Sequence, residues 1–348
     1  MGGTIKDIAA KAGVAVSTVS LVLNKKKNVS DATRRKVLQA IRELNYHPQR
    51  SARGLASKRS GNIGFILTED HFSHAEPFYT KIFLGTEFEA RQYDYYVLLT
   101  TIPKDLKPKG SFPRFLLEKD VDGVILAGKV PLRLIEYIRD QRLPLVLVDY
   151  YIKSPRLAAV LIDNVRGTYE AVNHLIELGH KRIAFVGGEI DHPSIADRLE
   201  GYQQALRDCD FAFNDGLISV DEPYTGVEDG YSATRKLLES GAHFTALFAT
   251  NDSAAIGAMR CLRENGIAVP RDVAIVGFDD IEAGEHVEPH LSTVRVFKEE
   301  LGAVALRKIA DMIANPQRTL DTVIIPTELV VRESCGAGAK SQSASGDG

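Results

Sequence analysis

The chain has 348 residues, 44% of them hydrophobic and 26% charged, which fits a soluble protein with more than one hydrophobic core. Its longest apolar runs, FIL, VIL and LVLV, fall far short of the roughly 20 residues a spanning helix needs. The net charge of −3 conceals an asymmetry. Residues 1–60 hold thirteen Lys/Arg against three Asp/Glu, a net of +10, whereas the remainder holds thirty against forty-three, a net of −13.

A small basic module on a large acidic body points to a polyanion as the partner of the module alone. No basic-then-apolar leader opens the chain, and Cys209, Cys261 and Cys335 form no CxxC pair. Both features predict a reducing, cytoplasmic setting with no membrane contact.

In chain order, Thr4 is suited to cap a first helix whose apolar face is Ile5, Ile8, Ala9 and Ala12. Gly13 ends it, because a left-handed turn costs glycine little. VAVSTVSLVLN then begins a second helix with Val19 and Leu23 on one side. Ser30 caps a third, with Val37, Leu38, Ile41 and Leu44 as the expected buried stripe. Three short helices with a tight turn between the first two have the layout of a helix-turn-helix unit. In such a unit the second helix enters the major groove. Here Val16, Ser17 and Leu21 are the expected base contacts, and Thr18, Ser20 and Asn24 have short polar side chains suited to phosphate oxygens. Thr4, Asn28, Ser30 and Thr33 complete the expected phosphate contacts.

Residues 47–60, HPQRSARGLASKRS, are basic and begin with a proline. As a helix formed on DNA they would present Ala52 and Leu55 on one face, with Arg53 and Lys58 towards phosphates. An apolar wedge inserted into a minor-groove step is one way to kink a duplex. The runs TIKDIAAKAGVAVSTVSLVLN and VSDATRRKVLQAIRELNYHP, followed by SARGLA, resemble the LacI/GalR family of bacterial transcriptional regulators over residues 4–60. The resemblance implies a hinge helix that forms when paired with its dimer mate, and Leu55 matches the family's intercalating leucine. Two positions depart from the pattern. Many members carry an arginine where this chain has Leu21, and Gln49 follows Pro48 where asparagine is frequent. Leucine donates no hydrogen bond, so apolar contact with a thymine methyl is expected there.

From Asn62 onward, near-continuous apolar runs alternate with helical stretches. Expected strands are 62–68, 95–100, 123–127, 145–148, 182–188, 246–249 and 273–278, with helices including 166–178 and 253–265. This alternation predicts parallel sheets covered on both faces. Two sheets fit better than one, with LSTVRV (291–296) and strands near 323–332 crossing back between them. The fold class expected is therefore an N-terminal all-α helix-turn-helix headpiece plus an α/β two-lobed core like a periplasmic binding protein. The expected domains are a headpiece (1–46), a hinge (47–60), and one lobe of 61–162 with about 292–325. A second lobe comprises 163–291 with about 326–335, and a Gly/Ser-rich, disordered tail covers 336–348. The family resemblance continues through IDNVRGTYEAVNHLIELGHKRIAFVGG, ADRLEGY, FATNDSAAIGAM and VAIVGFDD.

Ligands of such folds sit beyond the carboxyl ends of the strands. Phe78 and Tyr79 enter a helix after the first strand, Asp149 follows LVLV, Asn251 follows ALFA, Asp279 follows VAIVGF, and Arg198 is expected to start a helix. With Tyr224, these are the expected effector residues. The resemblance implies that Arg198 and Asp279 clamp ligand hydroxyls or ring heteroatoms, while Phe78, Tyr79 and Asn251 line the pocket. A guanidinium and a carboxylate facing one cleft suit vicinal hydroxyls. Asp252 and Asp280 read as caps or hinge structure. The loop TEDHFSHAEP, with His71 and His74, reads as a polar loop rather than a metal site, and His286 and His290 as surface or interdomain contacts. No metal or cofactor is expected. Neither GxSxG, HExxH nor GxxxxGK occurs, so the reading is not an enzyme.

The expected function is a transcriptional repressor, acting as a homodimer on pseudo-palindromic double-stranded DNA under control of a sugar-like effector. A purine-responsive regulator, or a catabolite-control type with a phosphoprotein partner, is the alternative within regulators. A solute-binding protein without DNA function is the alternative of another class.

Overall fold

The computed structural model describes residues 4–23, 28–44, 46, 59–70, 78–106, 112–152, 157–188, 190–316 and 321–337. The expected roles of Asn24, Ala52, Arg53, Leu55, His71 and His74, and the tail beyond 337, lie outside them. The chain divides into two compact units, residues 1–61 and 62–348.

The first unit holds three helices, α1 (Ile5–Ala12), α2 (Val16–Leu23) and α3 (Asp31–Glu43). Thr4 caps α1 reciprocally: its hydroxyl accepts from the Asp7 amide at 3.3 Å while the Asp7 carboxylate accepts from the Thr4 amide at 2.7 Å. Gly13 follows with φ 66°, in the left-handed region that lets the chain turn into α2 at once. Ser30 caps α3 by accepting from the Thr33 amide at 3.3 Å. The core is Ile8, Ala9, Val19, Val22, Val37 and Ala40. The expected stripe on α3 needs one correction, because Leu38 is 43% exposed. It lies about 100° around the helix from Val37, and Ala40, one turn beyond Val37, takes the inward position.

In the second unit the chain forms, in order, β1 (Asn62–Thr68), α4 (Phe78–Gln92), β2 (Tyr96–Ile102), α5 (Arg114–Leu117), β3 (Gly123–Ala127), α6 (Leu132–Asp140), β4 (Leu145–Val148) and β5 (Ala158–Ile162). It continues through α7 (Asn164–Glu177), β6 (Ile183–Gly188), α8 (Pro193–Asp208), β7 (Ile218–Glu222), α9 (Val227–Glu239), β8 (Ala246–Ala249), α10 (Asp252–Glu264) and β9 (Ala274–Val276). Then come β10 (Thr293–Arg295), α11 (Lys298–Ala314), β11 (Thr322–Ile325) and β12 (Glu328–Val330). One sheet has the order β11-β5-β4-β3-β1-β2 and the other β7-β6-β8-β9, both parallel throughout, while β10 and β12 pair antiparallel. The interior strands β3, β4, β6 and β8 are buried at every residue, as expected when helices cover both faces.

Two strands went unread in the sequence. In β7, ISVDE is a half-exposed edge strand without an apolar run, and in β5, AAVLI is led by two alanines with weak strand preference.

The chain passes between the sheets three times: from β5 into α7, from β10 into α11, and from β11 to β12. The second return is anchored by the tight packing of α11 on α4. A Cβ on Gly85 would lie 2.0 Å from the Glu299 carbonyl oxygen, and one on Gly302 would lie 1.9 Å from that of Ile82. Both obstacles are backbone, so neither yields by a rotamer change. Gly302→Ala should therefore lower core stability by about 1–3 kcal/mol through overpacking. The denaturant midpoint of the core transition, read by tryptophan-independent far-UV circular dichroism, measures this, and an unchanged midpoint would contradict the packing described.

Candidate functional site

A cavity of about 470 Å³ opens between the two sheets, walled by residues from both. All seven expected effector residues, Phe78, Tyr79, Asp149, Arg198, Tyr224, Asn251 and Asp279, line it. The topology explains the convergence, since parallel strands deliver their following loops to one end of each sheet. Asp149 leaves β4, Asn251 follows β8, Tyr224 follows β7, and Asp279 lies just past β9.

Arg198 is buried in the cavity wall, 4% exposed. Instead of starting a helix, as the sequence suggested, it lies in the second turn of α8, because Pro193 takes the first helical position and His192 the cap. Its Nε donates to Asn164 Oδ1 at 2.8 Å and its Nη1 donates to the Thr250 carbonyl. Its Nη2 lies 3.5 Å from Asp279 Oδ1, and its guanidinium carbon stands 3.8 Å from the centre of the Phe278 ring. One face of the group is thus covered by an aromatic ring and its edges are held by three polar partners.

Asp149 and Asp279 carry φ values of 54° and 109°, outside the usual range for residues with a side chain. Such conformations cost about 1–3 kcal/mol each and persist where surroundings over-determine them. Asp149 is fixed from both lobes. Tyr79 donates to its Oδ2 at 2.9 Å and Ser194 to its Oδ1 at 2.8 Å. Burial and the adjoining Asp149 carboxylate push the Tyr79 phenol well above its ordinary value, so it remains a donor. Asp279 is fixed by its backbone. Its amide donates to the Val294 carbonyl at 2.8 Å, and the buried Lys298 Nζ donates to its own carbonyl. Burial draws the Lys298 ammonium below its ordinary range, opposed by the charge of Asp279.

The neighbouring carboxylates are structural. Asp252 accepts from the Ile281 amide at 2.9 Å and from the Thr293 hydroxyl, and burial, then Asp279, pushes its pKa well up. Asp280 accepts from Arg295 Nε and Arg332 Nη2, each at 2.7 Å. His286 and His290 stand beside Glu282 and Glu333, at 3.9 and 3.8 Å, on the surface. Cavity residues the sequence reading missed include Lys104, Lys129, His192 and Ser194. Lys129 was accessible to the rule applied to Asp149, since it lies two residues past β3. Ser194 was not, because its role depends on the opposite lobe.

On the headpiece, Ser17 is exposed, and Val16 and Leu21 are 42% and 39% exposed. The eight residues of α2, VSTVSLVL, include no charged side chain. Thr18 and Ser20 are half-buried, while Thr4, Asn28 and Ser30 are exposed and Thr33 is half-buried. The Ser30 and Thr33 hydroxyls lie 2.9 Å apart at the start of α3.

Comparison with known proteins agrees with both units. The model of bacterial regulatory proteins of the lacI family matches residues 4–49, and that of a periplasmic binding protein-like domain matches residues 172–335. The transcriptional regulator RegA of Clostridium saccharobutylicum is 34% identical over 336 residues, spanning 96% of this chain and 99% of RegA. The chain belongs to the LacI family of bacterial regulatory proteins. It is a DNA-binding transcription regulator with a helix-turn-helix headpiece and a periplasmic-binding-protein-like core. Among solved LacI-family structures, the CelR–cellobiose complex has a TM-score of 0.70 at 32% identity, covering 95% of this chain and 99% of that one. The lac repressor dimer bound to operator and the anti-inducer ONPF has a TM-score of 0.78 at 26% identity, covering 96% and 99%. Among the described residues no helix is long and apolar enough to cross a membrane, and no group of three or more His, Cys, Asp or Glu could hold a metal ion.

The ion pairs behind the cavity have a pH signature. Burial pushes the Asp280 carboxyl up, but Arg332 and Arg295 outweigh it and hold the group below its ordinary 3.8. A carboxylate with a depressed native pKa adds stability above its unfolded value and loses it as pH falls through the native one. Asp280→Asn should therefore be less stable than wild type at pH 7, with the gap narrowing as pH falls below 3.8. Urea midpoints at pH 7 and pH 3 read this difference, and a gap of equal size at both would count against the pairing.

Proposed function

We propose that this LacI-family regulator is a cytoplasmic homodimeric repressor whose operator affinity is set by a hydroxyl-rich effector, a sugar or sugar derivative, bound between its lobes. The observation that carries this reading is the interlobe cavity with Arg198, Asp279, Asn251 and Tyr224 in its wall and the Phe78–Tyr79 pair, at 5.0 Å between ring centres, beside them. Its volume of about 470 Å³ lies in the range of small-molecule sites, about 300–1,000 Å³. Polar groups of both signs on an aromatic background suit a ligand with several hydroxyls and an apolar ring face. The cellobiose seen in the CelR complex is of this class.

Phe78, Tyr79, Arg198, Tyr224, Asn251 and Asp279 are assigned to effector contact. Asp149 is assigned a supporting role, because both its oxygens accept hydrogen bonds from the protein. On the DNA side, Val16, Ser17 and Leu21 are assigned to base edges. Thr4, Thr18, Ser20, Asn24, Asn28, Ser30 and Thr33 are assigned to phosphates, and Ala52, Arg53 and Leu55 to the minor groove. A dimer follows from half-site geometry, since one headpiece reads only half of a palindrome. The lac repressor on its operator is a dimer. An effector alters operator affinity only by its difference in affinity for the two arrangements of the protein.

Thermal-shift screening against mono- and disaccharides, sugar phosphates and nucleobases tests the effector class. A ligand at about 100 times its Kd adds roughly 2.7 kcal/mol of stability, and Arg198→Ala should abolish that gain while operator binding persists. A nucleobase hit with no sugar hit overturns the sugar reading. For the DNA side, Leu21→Arg should move the preferred base pair at one symmetric operator position from A·T to G·C. A bidentate arginine–guanine contact discriminates by about 1–3 kcal/mol. In vitro selection of binding sites with both proteins reads the change, and identical selected sites would remove Leu21 from base contact.

A further inference from the structure

Three consecutive residues after β4 all engage the start of α8, on the other lobe. The Asp149 carboxylate accepts from the Ser194 hydroxyl at 2.8 Å, and the Asp149 carbonyl accepts from the same hydroxyl at 3.3 Å. The Tyr150 ring lies 5.9 Å from the His192 ring. The Tyr151 hydroxyl donates to Asp197 Oδ1 at 3.1 Å. Burial and the Asp197 carboxylate together keep that phenol protonated, above its ordinary value. The contacts at residues 192, 194 and 197 span the first two turns of α8 and stop one residue short of Arg198. Asp149 is in turn held from within its own lobe by Tyr79, at 2.9 Å. Tyr151 and Asp197 do not line the cavity.

We propose that Tyr151 is a positioning residue: with Asp197 it forms the outer bond of an interlobe clasp that sets the azimuth of α8, aims Arg198 into the cavity, and sets the operator affinity of the effector-free protein. The inference rests on the proposed regulator reading, in which lobe arrangement governs DNA binding. The physical case is geometric. A rotation of one lobe against the other must break the Tyr151–Asp197 and Asp149–Ser194 bonds together, since both run from a single three-residue segment to a single helix. Two bonds on one rigid helix break as a unit, which makes the arrangement two-state instead of continuously deformable. The clasp also assigns Asp149 its work. Its left-handed backbone and its two donors serve closure, leaving recognition to the residues around it.

The test uses full-length protein without effector, and an operator fragment selected in vitro with the wild-type protein. Tyr151→Phe keeps the ring and removes only the donor, and Asp197→Asn keeps the shape and removes the charge. Each should change operator Kd at least threefold in the same direction, with the double variant changing it no further than the larger single effect. Hydrogen exchange supplies a readout independent of DNA: the amides of residues 192 and 194–198 should exchange at least fivefold faster in both variants, with those of β3 unaltered. Exchange at the wild-type rate in both variants, operator affinities that do not move, or single effects that multiply in the double variant would each overturn the proposal. If the wild-type protein selects no DNA sequence, the regulator reading fails instead, and the exchange rates still report whether the clasp exists.

Discussion

The architecture of the core turns on the burial of one cation. Removing a guanidinium from water costs several kcal/mol unless its donors and charge are met, and Arg198 is met by groups from far-apart stretches of chain. Asn164 opens α7, Thr250 follows β8, and Asp279 and Phe278 follow β9. The helix carrying Arg198 must therefore be seated before any of those loops is fully satisfied, and each loop must be placed before Arg198 can be buried. Such a group does little for net stability, but it penalises every arrangement in which one of its partners is displaced.

The same reasoning extends to the carboxylates around it. Asp149, Asp279 and Asp280 all sit in the left-handed backbone region, where short acidic side chains are better tolerated than most. Each lies shortly after a strand, and each carboxylate is tied to elements distant in the chain. Asp149 reaches α4 and α8, Asp279 reaches α8, and Asp280 reaches β10 and the segment after β12. Recognition chemistry and hinge structure thus share one set of turns. The regulator's cavity is built where several non-glycine residues hold positive φ.

Much of this was legible in the sequence, for reasons that differ by residue. Strands buried on both faces announce themselves as apolar runs, and β1, β3, β4 and β8 were found at their observed limits. The rule that loops after parallel strands face the ligand end placed Asp149, Asn251 and Asp279 without any knowledge of pairing order. Thr4, Gly13 and Ser30 were readable because caps depend on neighbours within a few residues. What escaped depends on distant chain. Leu38 was misjudged because a stripe of apolar residues does not say which one a three-helix core has room for. Ser194, Tyr151 and Lys298 have ordinary local sequences, and their partners lie 19 to 46 residues away. The start of α8 was misplaced because the ADRLEGY stretch draws attention to its middle, while Pro193 and His192 mark the true entry.

The three passages of the chain between the lobes also bear on how the protein is made. Strands β1 to β5 emerge from the ribosome early, yet the edge beside β5 is closed only by β11, at residues 322–325. The glycine face of α4 is covered only by α11. The four strands of the other sheet are complete by residue 276. The sheet begun first is therefore the one closed last of the two, and for about half of synthesis it presents an open strand edge and an uncovered helix face. Premature release of a nascent chain between residues 280 and 320 would leave one sheet whole and the other unable to close. That order makes the first sheet the one whose edge stays open longest during translation.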